Sequence, residues 1–123
     1  MAIKSFEEIE GWKLARELTR SVYTLTRGER FCKDFGLVDQ IRRASGSVMH
    51  NIAEGFDSGS DAEFMRFLGY SQRSATEVKS HLFVALDQAY ITEQEFVDAF
   101  HKATRVHAVV GGFIRYLKSK PKK

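Results

Sequence analysis

The chain has 123 residues, of which 43% are hydrophobic and 28% charged, and its formal net charge is +3. That length makes one domain with room for a real core, and the balance excludes a disordered chain. Cys32 is the only cysteine, which excludes an intramolecular disulfide and a thiolate metal cluster.

The N-terminal MAIKSFEEIEGW lacks the apolar core of a signal peptide, and no apolar run approaches membrane-spanning length, so a cytoplasmic protein with no membrane partner is expected. Ser5 and Glu8 have the spacing of a capping box. Behind them Phe6, Ile9, Trp12, Ala15, Leu18, Val22 and Leu25 supply the apolar face of a first helix, which Gly28 would stop. The segment GERFCKDFG reads as a loop.

A second helix is predicted from about Val38 to Glu54, with Leu37, Ile41, Ala44, Val48 and Ile52 on one side and Gly55 placed for a left-handed cap. Ser60 and Glu63 form another capping box. A third helix follows, its stripe running Phe64, Phe67, Leu68, Ser71, Ala75, Val78, Leu82, Leu86 and Ala89. Thr92 and Glu95 cap a fourth, whose stripe is Phe96, Ala99, Phe100, Ala103, Val106, His107, Val110, Ile114 and Leu117. Gly111 and Gly112 inside it cost about 1 kcal/mol each relative to alanine, so either the helix bends or another backbone comes close.

Strand patterns are absent, and short links force neighbouring helices to run antiparallel. The fold class is therefore all-α, an antiparallel up-and-down four-helix bundle over residues 1–117. A basic tail covers 118–123, where Lys118, Lys120, Lys122 and Lys123 leave the rest of the chain near neutral.

Catalysis finds little support. Carboxylate-bridged metal sites in bundles need inward glutamates and Glu-x-x-His pairs, but the stripes of the second, third and fourth helices hold no Asp or Glu. The pairs Glu77/His81 and His50/Glu54 sit on polar faces, and His107 is alone on a core stripe. Cys32 has no histidine near it in sequence, and GFDSGS links two helices without the lysine of a phosphate loop. No enzyme, metal or cofactor is expected.

The polar faces remain. On the second helix Gln40, Arg43, Ser47, His50, Asn51 and Glu54 gather on one side, and on the third so do Arg66, Tyr70, Arg73 and Glu77. Glu54 meets the negative end of its helix dipole, which costs a few tenths to about 1 kcal/mol and calls for a cation. Arg66 or Arg73, on the neighbouring helix or on another subunit, is the candidate.

Several of these residues form longer motifs: Trp12 with Ala15 and Leu18; Phe35-Gly36-Leu37; Gln40-Ile41-Arg42-Arg43-Ala44 with Ser47; Asn51-Ile52-Ala53-Glu54-Gly55; Phe64 with Phe67-Leu68; and Ser74 with Glu77. In them the chain resembles, over nearly its whole length, the four-helix-bundle proteins associated with intervening sequences in bacterial 23S ribosomal RNA genes, also known as the S23 ribosomal protein family. The resemblance implies a ring-shaped homo-oligomer, often a pentamer. It also implies kinship with a basic, barrel-forming accessory protein of diversity-generating retroelements that binds nucleic acid and a reverse transcriptase. Two positions depart from the family pattern: Phe31-Cys32 replaces an aromatic–proline pair, and Asp57-Ser58-Gly59-Ser60 replaces a linker that often carries a basic residue.

Two functions follow as expectations. In the first, a homo-oligomer holds structured RNA or DNA through phosphate contacts from Arg42, Arg43, Arg66, Arg73 and the tail lysines Lys118, Lys120, Lys122 and Lys123. In the second, a protein–protein scaffold without a nucleic-acid partner uses Gln40, Arg43, Ser47, Asn51, Glu54 and Glu77 for subunit and helix-end contacts.

Overall fold

A computed structural model describes residues 3–121. Helices α1 (Glu10–Thr26), α2 (Phe35–Phe56), α3 (Asp61–Asp87) and α4 (Glu93–Ser119) alternate in direction as an all-α, up-and-down bundle. Each pair of sequence neighbours packs together, and α1 closes the bundle against α4. None of the four is long and apolar enough to cross a membrane.

The α1 start departs from the expected capping box. Residues Phe6–Glu8 make a single 3-10 turn, and the Ser5 hydroxyl donates to Glu8 Oε2 at 3.3 Å instead of accepting a backbone bond. Ile9 then takes an extended conformation that drops its side chain into the core, and α1 begins behind it. Burying Ile9 outweighs a continuous helix from Ser5.

The link between α1 and α2 is less loop-like than its composition suggests. Residues Phe31–Lys33 form a second 3-10 turn, and Phe31 is fully buried. Asp34 Oδ1 accepts the Leu37 N–H at 3.2 Å, capping α2 three residues earlier than its apolar periodicity begins. The other Asp34 oxygen accepts the Tyr90 hydroxyl at 3.0 Å. That bond first, then burial, raises the Tyr90 pKa above its ordinary value. The resulting stabilisation is complete below the unfolded phenol's pKa of about 10 and is lost as pH rises through the folded value.

Glycine does not play its expected part at the end of α2. Gly55 stays helical and buried, and α2 ends one residue later; only Gly59, in the following link, has a positive φ among the described glycines. Gly55 instead lets α3 come close, since a Cβ there would lie 2.8 Å from Phe67 Cβ. At Gly111 the close neighbour is a side chain, not a backbone. Gln72 Nε2 donates to the His107 carbonyl at 3.1 Å, directly over the glycine.

Ser60 accepts the Glu63 N–H at 3.1 Å, but Glu63 turns to Arg66, so only half of that box forms. The Thr92/Glu95 box at α4 is complete, with bonds of 3.1 and 2.8 Å. Helix α3 ends in a Schellman motif, with Tyr90 N–H donating to Ala85 O and Ala89 N–H to Leu86 O, both at 2.9 Å. Its left-handed residue is Ala89, at φ 58°, so Ala89 is exposed and not part of the core stripe. A Cβ is disfavoured there by about 1–2 kcal/mol. Ala89→Gly should therefore raise stability by about 1 kcal/mol, read as a higher urea midpoint with unchanged slope.

Candidate interaction surface

The polar residues of α2 and α3 are not two independent wet rows. Ser74 Oγ donates to Ser47 Oγ at 2.9 Å, and Asn51 Nδ2 donates to both the Ser47 hydroxyl and its carbonyl, each at 2.9 Å. One layer deeper, the buried Ser71 hydroxyl donates to Val48 O at 2.9 Å. Ser47 and Asn51 are half-buried in the joint between the helices. Asn51 thus ties mid-helix groups, not the end of α2.

Around this seam the charges divide. Arg43, its side chain 80% exposed, pairs with Asp39 one turn back at 3.0 Å. Arg66 pairs with Glu63 at 2.9 Å and donates to the Tyr70 hydroxyl at 3.1 Å. The Glu63 hydrogen bond, then its charge, raises the Arg66 pKa further. Glu77 faces His81 at 3.2 Å, and Gln40 is exposed. The Arg66 and Arg73 guanidiniums both lie within 6 Å of the Tyr70 ring centroid, at 5.7 and 5.8 Å. Among the described residues, Arg73 has no carboxylate within 4 Å and Glu54 no basic group. Pairing of Glu54 with Arg66 or Arg73 inside one chain is therefore not formed.

The other predicted cations lie elsewhere. Arg42 turns toward α1, where its Nε donates to Thr26 Oγ1 at 2.9 Å and its guanidinium sits 4.4 Å from the Tyr23 ring centroid. Lys118 is exposed in the last turn of α4, and Lys120 pairs with Asp61 at 3.3 Å. Lys122 and Lys123 lie outside the described residues. The six described residues among the expected phosphate contacts thus point to different parts of the bundle: Arg42 to α1, Arg43, Arg66 and Arg73 to the α2–α3 face, and Lys118 and Lys120 to the end of α4. A further row of cations, absent from those expectations, is exposed: Lys13, Arg16 and Arg20 on α1 and Arg27 at its C-cap. Their spacing of three, four and seven residues was the available signal.

Among the described residues no three of His, Cys, Asp and Glu are grouped to hold a metal ion. A cavity of about 690 Å³ opens where the α2–α3 link meets the end of α4. Phe56, Phe64, Phe113 and Tyr116 line it, with Asp61 and Lys120 alongside. Cys32 is exposed, and its thiol donates to the Glu29 carbonyl at 3.4 Å.

The bundle is similar to a solved structure from Bacteroides thetaiotaomicron VPI-5482, a protein of unknown function from the S23 ribosomal protein family. The TM-score is 0.78 at 22% identity, over 85% of this chain and 98% of that one, which establishes a shared fold. No curated protein matches the chain. The sequence profile of the 23S rRNA-intervening sequence protein family matches residues 7–112. With nearly the whole bundle inside that match, the chain belongs to the 23S rRNA-intervening sequence protein family.

Proposed function

We propose that the protein acts by contact and not by catalysis, as a bundle that associates with copies of itself through the exposed face of α2 and α3. The observation that carries this reading is the pair Glu54 and Arg73. They have opposite charges and share one face, yet among the described residues neither has an ion-pair partner, while Arg43 and Arg66 are already neutralised. Neighbouring copies on either side can supply the missing partners, one offering its Arg73 to Glu54 and the other its Glu54 to Arg73. Such a head-to-tail contact generates a ring when the rotation closes, and five copies is the number that the resemblance implies.

Light scattering tests this. The chain should scatter as a multiple of 14.0 kDa, and Arg73→Glu should reduce it to a monomer. Glu54→Arg combined with Arg73→Glu should restore the assembly by swapping the charges. A wild-type monomer, or an Arg73→Glu protein of unchanged mass, would exclude the reading.

A second reading, that the assembly holds RNA or DNA, is favoured by a different observation. Exposed cations without a carboxylate partner among the described residues lie away from the α2–α3 face, and Lys13, Arg16 and Arg20 of these are aligned on α1.

A further inference from the structure

Helix α1 buries Leu14, Leu18 and Val22, faces α2 with Thr19, whose hydroxyl donates to Ser45 O at 3.1 Å, and faces α4 with Ser21, which accepts Lys102 Nζ at 2.7 Å. These contacts fix which way its remaining side looks. At about 100° per residue, Lys13, Arg16, Arg20 and Arg27 fall within an arc of about 60° opposite the core. At 1.5 Å per residue they run about 21 Å along the axis.

All four are exposed, and among the described residues none has a carboxylate oxygen within 4 Å. Glu10 and Glu17 sit on the flank toward α4, outside the arc. Arg43, Arg66 and Lys120 are each paired with an acid of their own chain. Other cations, such as Arg73, share the unpaired state of this row, and what sets the row apart is its alignment along one arc of a single helix. Along its α2 edge stands Tyr23, 38% exposed, with the Arg42 guanidinium over its ring.

We propose that the outer face of α1 binds a nucleic-acid single strand, with Lys13, Arg16, Arg20 and Arg27 on successive phosphates and Tyr23 beside the bases. The proposal rests on the second reading above and gives it a surface different from the α2–α3 face. A linear row of cations matches a linear row of phosphates, and contacts of this kind are indifferent to sequence. An exposed ring beside such a row offers a stacking surface to unpaired bases. A membrane is the poorer occupant, because the arc carries no apolar side chain to enter the lipid.

The test is fluorescence anisotropy of the full chain with a labelled single-stranded RNA of about 20 nucleotides and mixed sequence, from low to high salt. Three to four contacts give a log–log salt slope of about −2 to −3. Arg16→Glu/Arg20→Glu should weaken binding at least tenfold and flatten the slope by about 1.4. Arg16→Gln/Arg20→Gln, a milder change on an exposed face, should flatten it in the same direction. Lys118→Glu/Lys120→Glu changes the net charge by the same amount as the first variant and should alter affinity less than twofold.

The row lies within one chain, so it can be tested whether the protein scatters as a monomer or as an assembly, and failure of the assembly reading leaves this one standing. Four results would overturn it: no binding at low salt, binding indifferent to salt, unchanged affinity in both α1 variants, or equal losses in the α1 and tail variants. Tighter binding to duplex than to the strand, or competition by polyglutamate equal to that by unlabelled RNA, would overturn the choice of partner.

Discussion

Phe31→Ala should destabilise the bundle by about 3–5 kcal/mol, the largest effect of any single substitution considered for this chain. Phe31 is the bulkiest of the fully buried side chains, although it sits in a short turn between two helices. It shares a cluster with Leu18, Ile41, Val78 and Leu82, and so plugs one end of the bundle. Its ring stacks on Tyr90 with centroids 5.2 Å apart, and such a pair adds about 0.5–1.5 kcal/mol beyond burial. Tyr90 in turn holds Asp34, the cap of α2, so truncation loosens a stack, a hydrogen bond and a helix start together. Against a total stability of about 5–15 kcal/mol, the loss lowers the urea midpoint steeply. Cys32→Ser, next door and exposed, should stay within about 0.5 kcal/mol of the parent. A loss at Phe31 below about 1 kcal/mol would mean that the turn is not part of the core.

What the sequence made legible was chemistry that acts over a few residues. The Thr92/Glu95 box formed because both of its bonds close within four residues and, unlike Glu63, Glu95 makes no ion pair among the described residues. The Ser5/Glu8 box, equally good as a pattern, lost to the burial of Ile9, a demand set by helices far away in the chain. Phe31 was hidden because a turn of mixed polarity has no periodicity to reveal an inward residue. Ala89 fits the core stripe by spacing, and alanine carries no signal of the left-handed backbone it adopts.

The candidate surface shows the same division. The pairs Arg43–Asp39 and Arg66–Glu63 have ordinary helical spacings, so their neutralisation could have been read from the chain. The seam of Ser47, Asn51 and Ser74 could not, because only the packing register of α2 on α3 brings it together. The α1 row is readable by spacing but carries no motif, whereas the double arginine of α2 stands within one. Of that pair, Arg42 proves to be anchored to α1.

The replacement Gly55→Ala should cost about 1 kcal/mol net, although alanine is the better helix former. In a helix interior the exchange is worth about 1 kcal/mol in favour of alanine. At Gly55 that gain meets a backbone-near obstacle: the new Cβ would lie 2.8 Å from Phe67 Cβ, 2.9 Å from Phe64 Cδ1 and 3.3 Å from the Phe64 carbonyl. The Phe64 ring can turn, but the other two atoms move only with α3 itself. Overpacking of this kind costs about 1–3 kcal/mol, which outweighs the propensity gain. Gly69, inside α3 with nothing within 4 Å of its notional Cβ, provides the opposite case. Gly69→Ala should stabilise by about 0.5–1 kcal/mol. A double-mutant cycle with Phe64→Leu then separates packing from backbone conformation. If crowding is the cause, shortening residue 64 recovers part of the Gly55→Ala loss as a coupling energy of at least about 0.5 kcal/mol. If Gly55 were instead a left-handed cap, the two changes would add independently, and the close approach of α2 to α3 would not explain the glycine.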